Sequence, residues 1–414
     1  MKSSILEVNA MGTTVVFAAA MLAALVAVEV VHRRLGLQVI VTAIVCGYVL
    51  GVALGGVALG ALQLPGLVAP GEGPVFAREL TDPVTTVALA LLMFSAGAQI
   101  PFETTQGRDA DMILRLVAGT GIAFVASFAV FGPLFLQPDI GAALDIGAGD
   151  PFRATLIVAL CTFVTSLPFL TKIFQSLGML RTGICRNVLM ASCIGDVFVY
   201  VATTVFIGLA TVSDGWTSQI AIRLTQLALF IGLFAILFRL RQGRPPRAEA
   251  WLLPGVAALA AAGAALDIGA MLTGLFAGMY FGDRGWRWLL ARRFSAGVVS
   301  QMGTLYFVLV GLSLTTQLRF DVLLFAVFLT LSSAIKFVSV LVAVAPAGLH
   351  TRSALCYAMA MNTRGGPGIV LGSIFFMNGL IGQDFFIVLI MTSIVTAMMT
   401  EVFLKRMGAA RLEW

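Results

Sequence analysis

Three ionisable residues fall in the middle of long apolar runs: Asp196, Lys336 and Arg364. A charged side chain at a bilayer centre costs roughly 2.5–3.5 kcal/mol on insertion scales, so each needs a reason to be there. Asp196 stands in VLMASCIGDVFVYVATTVFIG, and Ser192 lies one helical turn before it on the same face. A carboxylate with a hydroxyl one turn away is half of a site for a small hard cation, which takes oxygen ligands. The same carboxylate takes a proton instead, so proton and cation compete for one place. The alternative is a carboxylate buried for packing alone. Lys336, in LLFAVFLTLSSAIKFVSVLVAV, is too deep to reach water easily along its stem. It either senses the occupancy of Asp196 or belongs to a structural ion pair.

Arg364 stands in AMAMNTRGGPGIVLG, between Asn362 and Thr363 on one side and Gly365, Gly366 and Pro367 on the other. Continuous helix through Gly-Gly-Pro-Gly is disfavoured, because glycine and proline are the poorest helix formers. A weaker counterpart occurs in LCTFVTSLPFLTKIF, where Thr165, Ser166 and Pro168 interrupt an apolar run. One proline in one membrane helix usually marks a kink. Two interrupted spans in corresponding halves point instead to a transporter site at the midplane. Their freed carbonyls can hold a cation, and the half-helix ends can offset charge.

The elements that must position these residues follow from composition. The 414-residue chain is 59% hydrophobic and 11% charged, where soluble domains carry about 25% charged residues. A soluble enzyme, a disordered chain and a nucleic-acid-binding module are excluded. Thirteen apolar segments are long enough to matter: 11–31, 37–60, 83–101, 112–135, 153–175, 187–211, 218–240, 251–265, 267–282, 298–317, 320–345, 352–378 and 384–404. The eighth and ninth, separated by Asp267 and nearby glycines, read either as two spans or as one bent pair. Backbone in hydrocarbon must satisfy its own hydrogen bonds, so these segments are expected to be helical. A barrel would show alternating strands of about ten residues, roughly half the length of these runs.

With the N-terminus outside, the inner segments hold 19 of the 26 Lys and Arg residues and the outer ones 5. That bias predicts an outer N-terminus and a cytoplasmic C-terminus in a multi-pass protein of the cell membrane. The run RLRQGRPPR, Arg239 to Arg247, reads as a basic cytoplasmic loop. Spans two to six and nine to thirteen then form five-span units that begin on opposite sides, each with its fourth span broken. The expected architecture is therefore all-α, with inverted five-helix repeats and two crossing broken helices. Five cysteines without metal spacing read as buried thiols. No second mid-span Asp and no mid-span His accompany Asp196, which argues against an intramembrane protease. No phosphate-binding loop supports ATP-driven pumping.

These stretches, in this order, resemble the cation:proton antiporter superfamily in its NapA/Kef-like bacterial branch. The matching segments are VTSLPFLTKIFQSLGMLRTGICRNVLMASCIGDVF, QMGTLYFVLVGLSL, SSAIKFVSV and AMNTRGGPGIVLG, with LTGLFAGMYFGD and QVIVTAIVCGYVLG. The resemblance implies a secondary antiporter that exchanges Na⁺ or K⁺ for protons by alternating access and needs no cofactor. Asp196 matches the ion- and proton-binding carboxylate, and Ser192 a hydroxyl that ligates the ion in some relatives. Thr165 and Ser166 match the first broken helix, and Lys336 the basic residue of the eleventh span. Asn362, Thr363, Arg364, Gly365, Gly366, Pro168 and Pro367 then line the breaks. The resemblance also implies a homodimer in the bilayer. A core bundle (about 83–211 and 320–404) would slide against a dimerisation bundle (about 11–60 and 218–317). One departure is Gly195, where many relatives carry Asp or Asn. A missing side chain there widens the site, which motivates an alternative: a proton-coupled exporter of an organic ion or small molecule.

Overall fold

A computed structural model of the chain describes residues 2–35, 39–60, 75–98, 107–137, 146, 150–179, 182–211, 216–242, 252–291, 293–312 and 321–408. The basic run at 243–247 lies outside them. The described residues form fifteen α-helices: α1 (Lys2–Leu35), α2 (Val39–Gly60), α3 (Val75–Ala98), α4 (Gly107–Phe135), α5 (Pro151–Phe163), α6 (Leu167–Ser176), α7 (Gly183–Thr211), α8 (Trp216–Gln242), α9 (Leu252–Ala265), α10 (Ala270–Ala291), α11 (Arg293–Leu312), α12 (Val322–Val344), α13 (Thr351–Met361), α14 (Gly366–Met377) and α15 (Gln383–Arg406). Extended pairing among the described residues is limited to one bridge, Ile146 with Ile381. Among the described residues, six segments are long and apolar enough to cross a membrane by themselves: 109–135, 151–174, 183–203, 221–240, 322–347 and 383–406.

The eighth and ninth apolar segments are two helices, α9 and α10. Asp267 divides them with a left-handed backbone (φ 52°), a conformation that Asp tolerates better than most side chains. Its carboxylate pairs with Arg223 of α8.

Contacts divide the chain into two compact units. In one, α1, α2 and α11 pack together, and most of α3 belongs to the same unit. Here α2 and α11 touch backbone to backbone. A Cβ at Gly47 would fall 2.0 Å from the Val308 carbonyl oxygen, and one at Gly311 would fall 2.1 Å from that of Ile44. Small residues at such a crossing let two membrane helices approach more closely than side chains allow.

The second unit contains α4 to α9, most of α10, and α12 to α15. Its centre is the interrupted pair α5–α6, whose residues from Ala154 to Phe174 are almost all enclosed. α4, α7 and α12 pack around α5, and α14 and α15 pack against α6. Asp150 caps α5, accepting from the backbone N–H of Phe152 (2.9 Å) and Arg153 (3.3 Å). Asp321 caps α12 in the same way through Leu323 and Leu324. These caps satisfy donors that a helix N-terminus otherwise leaves without partners. Every residue of the candidate site lies in this second unit.

Candidate functional site

Both expected interruptions are present. Helix stops at Phe163 and resumes at Leu167; it stops again at Met361 and resumes at Gly366. Pro168 and Pro367 each sit in the first turn of the resuming helix, where a missing N–H leaves no bond unmade. The two breaks meet, although almost 200 residues separate them. Ser166 donates its backbone N–H to the Thr363 carbonyl (2.9 Å). The Thr165 hydroxyl donates to the Met361 carbonyl (3.0 Å). Gly365 makes the approach feasible, since a Cβ there would lie 1.9 Å from the Phe169 ring and 2.5 Å from Ser166 Oγ.

Lys336 is wholly buried and commits its ammonium to the first break. It donates to the carbonyls of Phe163 (2.7 Å) and Val164, and to Thr165 Oγ1 (2.8 Å). These oxygens lie at the C-terminal end of α5, where unpaired carbonyls and the negative end of the helix dipole favour a cation. Lys336 is therefore not paired with Asp196. No ion-pair contact joins them. Ion pairs elsewhere join Glu29 to Arg33, Asp111 to Arg115, Asp150 to Arg153, Asp109 to Arg186 and Asp267 to Arg223.

The second break is held differently. Arg364 donates from Nη1 to Ser332 Oγ (2.8 Å), and its guanidinium lies 5.4 Å from the centre of the Phe328 ring. Phe328, Ser332 and Lys336 are four residues apart in turn, so one face of α12 serves both breaks. Thr396 Oγ1 accepts the Arg364 backbone N–H (3.2 Å). Thr400 Oγ1 accepts from the Thr363 hydroxyl (2.9 Å) and donates to the Met359 carbonyl (3.2 Å). Arg364 Nε and Nη2 and Asn362 Oδ1 are buried without a hydrogen-bond partner among the described residues. Ser332, Thr396 and Thr400 were not singled out from the sequence. Their signal was present in spacing: Ser332 stands one turn before Lys336, and Thr392, Thr396 and Thr400 repeat every fourth residue.

Asp196 is about 1% exposed, and its Oδ2 has no hydrogen-bond partner among the described residues. Ser192 Oγ, one turn away, is buried in the same condition. Two oxygens without donors, one of them from a carboxylate, form an incomplete coordination set that a proton or a small cation can complete. Beside them, Gly195 faces the Phe163 ring, and a Cβ built at Gly195 would stand 3.5 Å from it. Phe163 packs on Phe198 (4.6 Å between centroids) and on Phe124 (6.3 Å). The room left by the missing side chain is thus bounded by an aromatic ring, at ordinary contact distance from one added methyl. No group of three or more His, Cys, Asp or Glu side chains that could hold a metal occurs among the described residues.

Two polar residues at helix ends have local roles. Glu401 accepts a hydrogen bond from Ser176 of α6 (3.2 Å). His350 caps α13, its Nδ1 accepting from the Arg352 N–H (3.3 Å).

Comparison with known proteins gives a family model and a fold. The family model described as "Sodium/hydrogen exchanger, transmembrane" matches residues 18–407. Among solved structures, the sodium proton antiporter MjNhaP1 from Methanocaldococcus jannaschii, determined at pH 8, is similar in fold. The TM-score is 0.61 at 14% sequence identity, over 97% of this chain and 97% of that one. Among curated proteins, none matches the chain in sequence.

Proposed function

The chain belongs to the sodium/hydrogen exchanger family, and on that premise we propose that it exchanges a monovalent cation, Na⁺ or K⁺, for protons by alternating access, with Asp196 as the site both ions share. The family consists of transporters, not enzymes, and the chain is read accordingly. The observation that carries the site assignment is the buried Asp196 Oδ2 without a donor, one turn from a Ser192 hydroxyl in the same condition. When the carboxylate is ionised, a cation replaces part of its water shell with these oxygens. When it is protonated, the cation has lost its charged ligand.

Lys336 already gives its hydrogen bonds to the α5 break. Cation binding at Asp196 then has no lysine to displace. One proton leaves as one monovalent cation arrives, and the exchange carries no net charge. In this reading the inverted repeats let α5–α6 and α13–α14 move as one crossing. The core bundle slides against a dimerisation bundle in a homodimer of the cell membrane, with the N-terminus outside. The organic-ion alternative drew its support from space beside Gly195, and the Phe163 ring bounds that space at ordinary contact distance from a single added methyl.

The test is cation-driven proton movement in proteoliposomes. Asp196→Asn is expected to abolish exchange. In the wild type, lowering the pH is expected to raise the apparent cation KM with little effect on the maximal rate, because protons compete for the carboxylate. An imposed membrane potential is expected to leave the rate unchanged. Wild-type exchange by Asp196→Asn would remove Asp196 from the mechanism.

A further inference from the structure

Ser192, Asp196 and Thr203 are spaced i, i+4 and i+11 along α7, which places them on one face. All three are buried, and Ser192 Oγ, Asp196 Oδ2 and Thr203 Oγ1 each lack a hydrogen-bond partner among the described residues. The hydroxyl oxygens of Thr171, Ser333 and Thr392 are also buried without a partner, on α6, α12 and α15; among the described residues Ser192 and Thr203 are the two such hydroxyls on α7. Several other span hydroxyls use their own helix. Thr120, Ser127, Thr155, Thr162 and Ser393 each donate to a carbonyl three or four residues back in their own helix. Thr203 has the Val199 carbonyl at the same offset and does not use it. A buried hydroxyl left without a bond costs roughly 1–3 kcal/mol, which an oxygen-seeking occupant on this face would offset.

The neighbours define where this face looks. On one side stands α10. Cys193 Sγ is 3.6 Å from Met279 Sδ, and the Tyr200 hydroxyl accepts the backbone N–H of Gly269. On the other side stands α14, with Phe206 and Phe375 edge to face at 5.6 Å. The polar stripe of α7 therefore runs between α10 and α14, from Ser192 through Asp196 towards the helix end at Thr211. The basic-residue bias puts that end outside.

We propose that the Thr203 hydroxyl is a second, outer binding point for the transported monovalent cation. It lies about 10 Å along the helix from Asp196, at 1.5 Å per residue. It offers one neutral oxygen, the ligand type a hard cation accepts while it still carries part of its water shell. The ion touches Thr203 on its way between the outer solution and the carboxylate. This inference rests on the reading of Asp196 as the exchange site.

The experiment compares Thr203→Val, Thr203→Ser and Asp196→Asn with the wild type in right-side-out and inverted vesicles. Loss of one neutral oxygen ligand is expected to raise the apparent cation KM about five-fold at the outer face in Thr203→Val. The inner-face KM is expected to stay within about two-fold of wild type, and Thr203→Ser to match wild type at both faces. Thr203→Cys is expected to react with a membrane-impermeant cationic thiol reagent from outside, above the background of the five native cysteines, and more slowly at saturating cation. The proposal is overturned if Thr203→Val leaves both KM values unchanged or raises both equally. It is also overturned if Thr203→Ser is as impaired as Thr203→Val, or if Thr203→Cys is not labelled. Asp196→Asn separates the two readings: exchange in that variant defeats the Asp196 assignment whatever Thr203 does.

Discussion

The two backbone breaks face the same physical problem and meet it with different chemistry. At 164–166 a buried ammonium from α12 binds two carbonyls and one hydroxyl. At 362–365 hydroxyls from α15 bind the chain, and Arg364 makes one hydrogen bond while two of its nitrogens have none among the described residues. The first break is tied by a cation supplied from α12; the second contains a cation of its own, Arg364, yet its backbone is tied by neutral hydroxyls. A broken membrane helix thus needs its carbonyls and N–H groups paired, and either a charge or a set of hydroxyls can do it. The first arrangement fixes a charge close to Asp196. The second leaves polar atoms, Asn362 Oδ1 among them, available for other partners.

Substitutions at the crossing test this contrast, beginning with the one that forces the breaks apart. Gly365→Ala puts a methyl group into the Phe169 ring and Ser166 Oγ. We expect it to destabilise the protein by about 3 kcal/mol or more, seen as lost yield and a lower Tm in detergent. Gly366→Ala meets only Pro168 Cγ at 3.8 Å and is expected to leave the Tm unchanged or slightly raised. Equal effects of the two would show that close contact between the breaks is not what holds them.

Next comes the charge. Lys336→Met leaves the Phe163 and Val164 carbonyls and Thr165 Oγ1 without their donor. The expected loss is about 2–3 kcal/mol. Thr400→Val removes one acceptor and one donor at the second break, and about 1 kcal/mol is expected. If thermal unfolding ranks Thr400→Val above Lys336→Met, the ammonium is not the main tie at the first break. The smallest effect belongs to Gly195→Ala, whose methyl makes ordinary contact with Phe163. Its Tm and exchange rate are expected to stay near wild type, within about 0.5 kcal/mol. A large loss would mean that the aromatic wall beside Asp196 cannot shift at all.

Much of the molecule was legible in the residues alone. Long apolar runs in lipid have one backbone solution, so the helices followed from hydropathy. Glycine and proline act through their own backbones, so both breaks followed from local sequence. Asp196 was conspicuous because ionisable groups in such runs are rare. Periodicity also put Ser192 on the face of Asp196 without any coordinates.

The partners of those residues were decided elsewhere. Lys336 finds its oxygens more than 170 positions away, a pairing that no local rule encodes. The Phe163 ring borders Gly195 because α5 packs against α7. The Thr203 hydroxyl could have folded back on its own helix, as Thr155 and Thr162 do. A sequence states which groups a membrane helix must satisfy. Which distant atoms satisfy them depends on how the helices pack, because long-range contacts compete with the local bonds each side chain could make by itself.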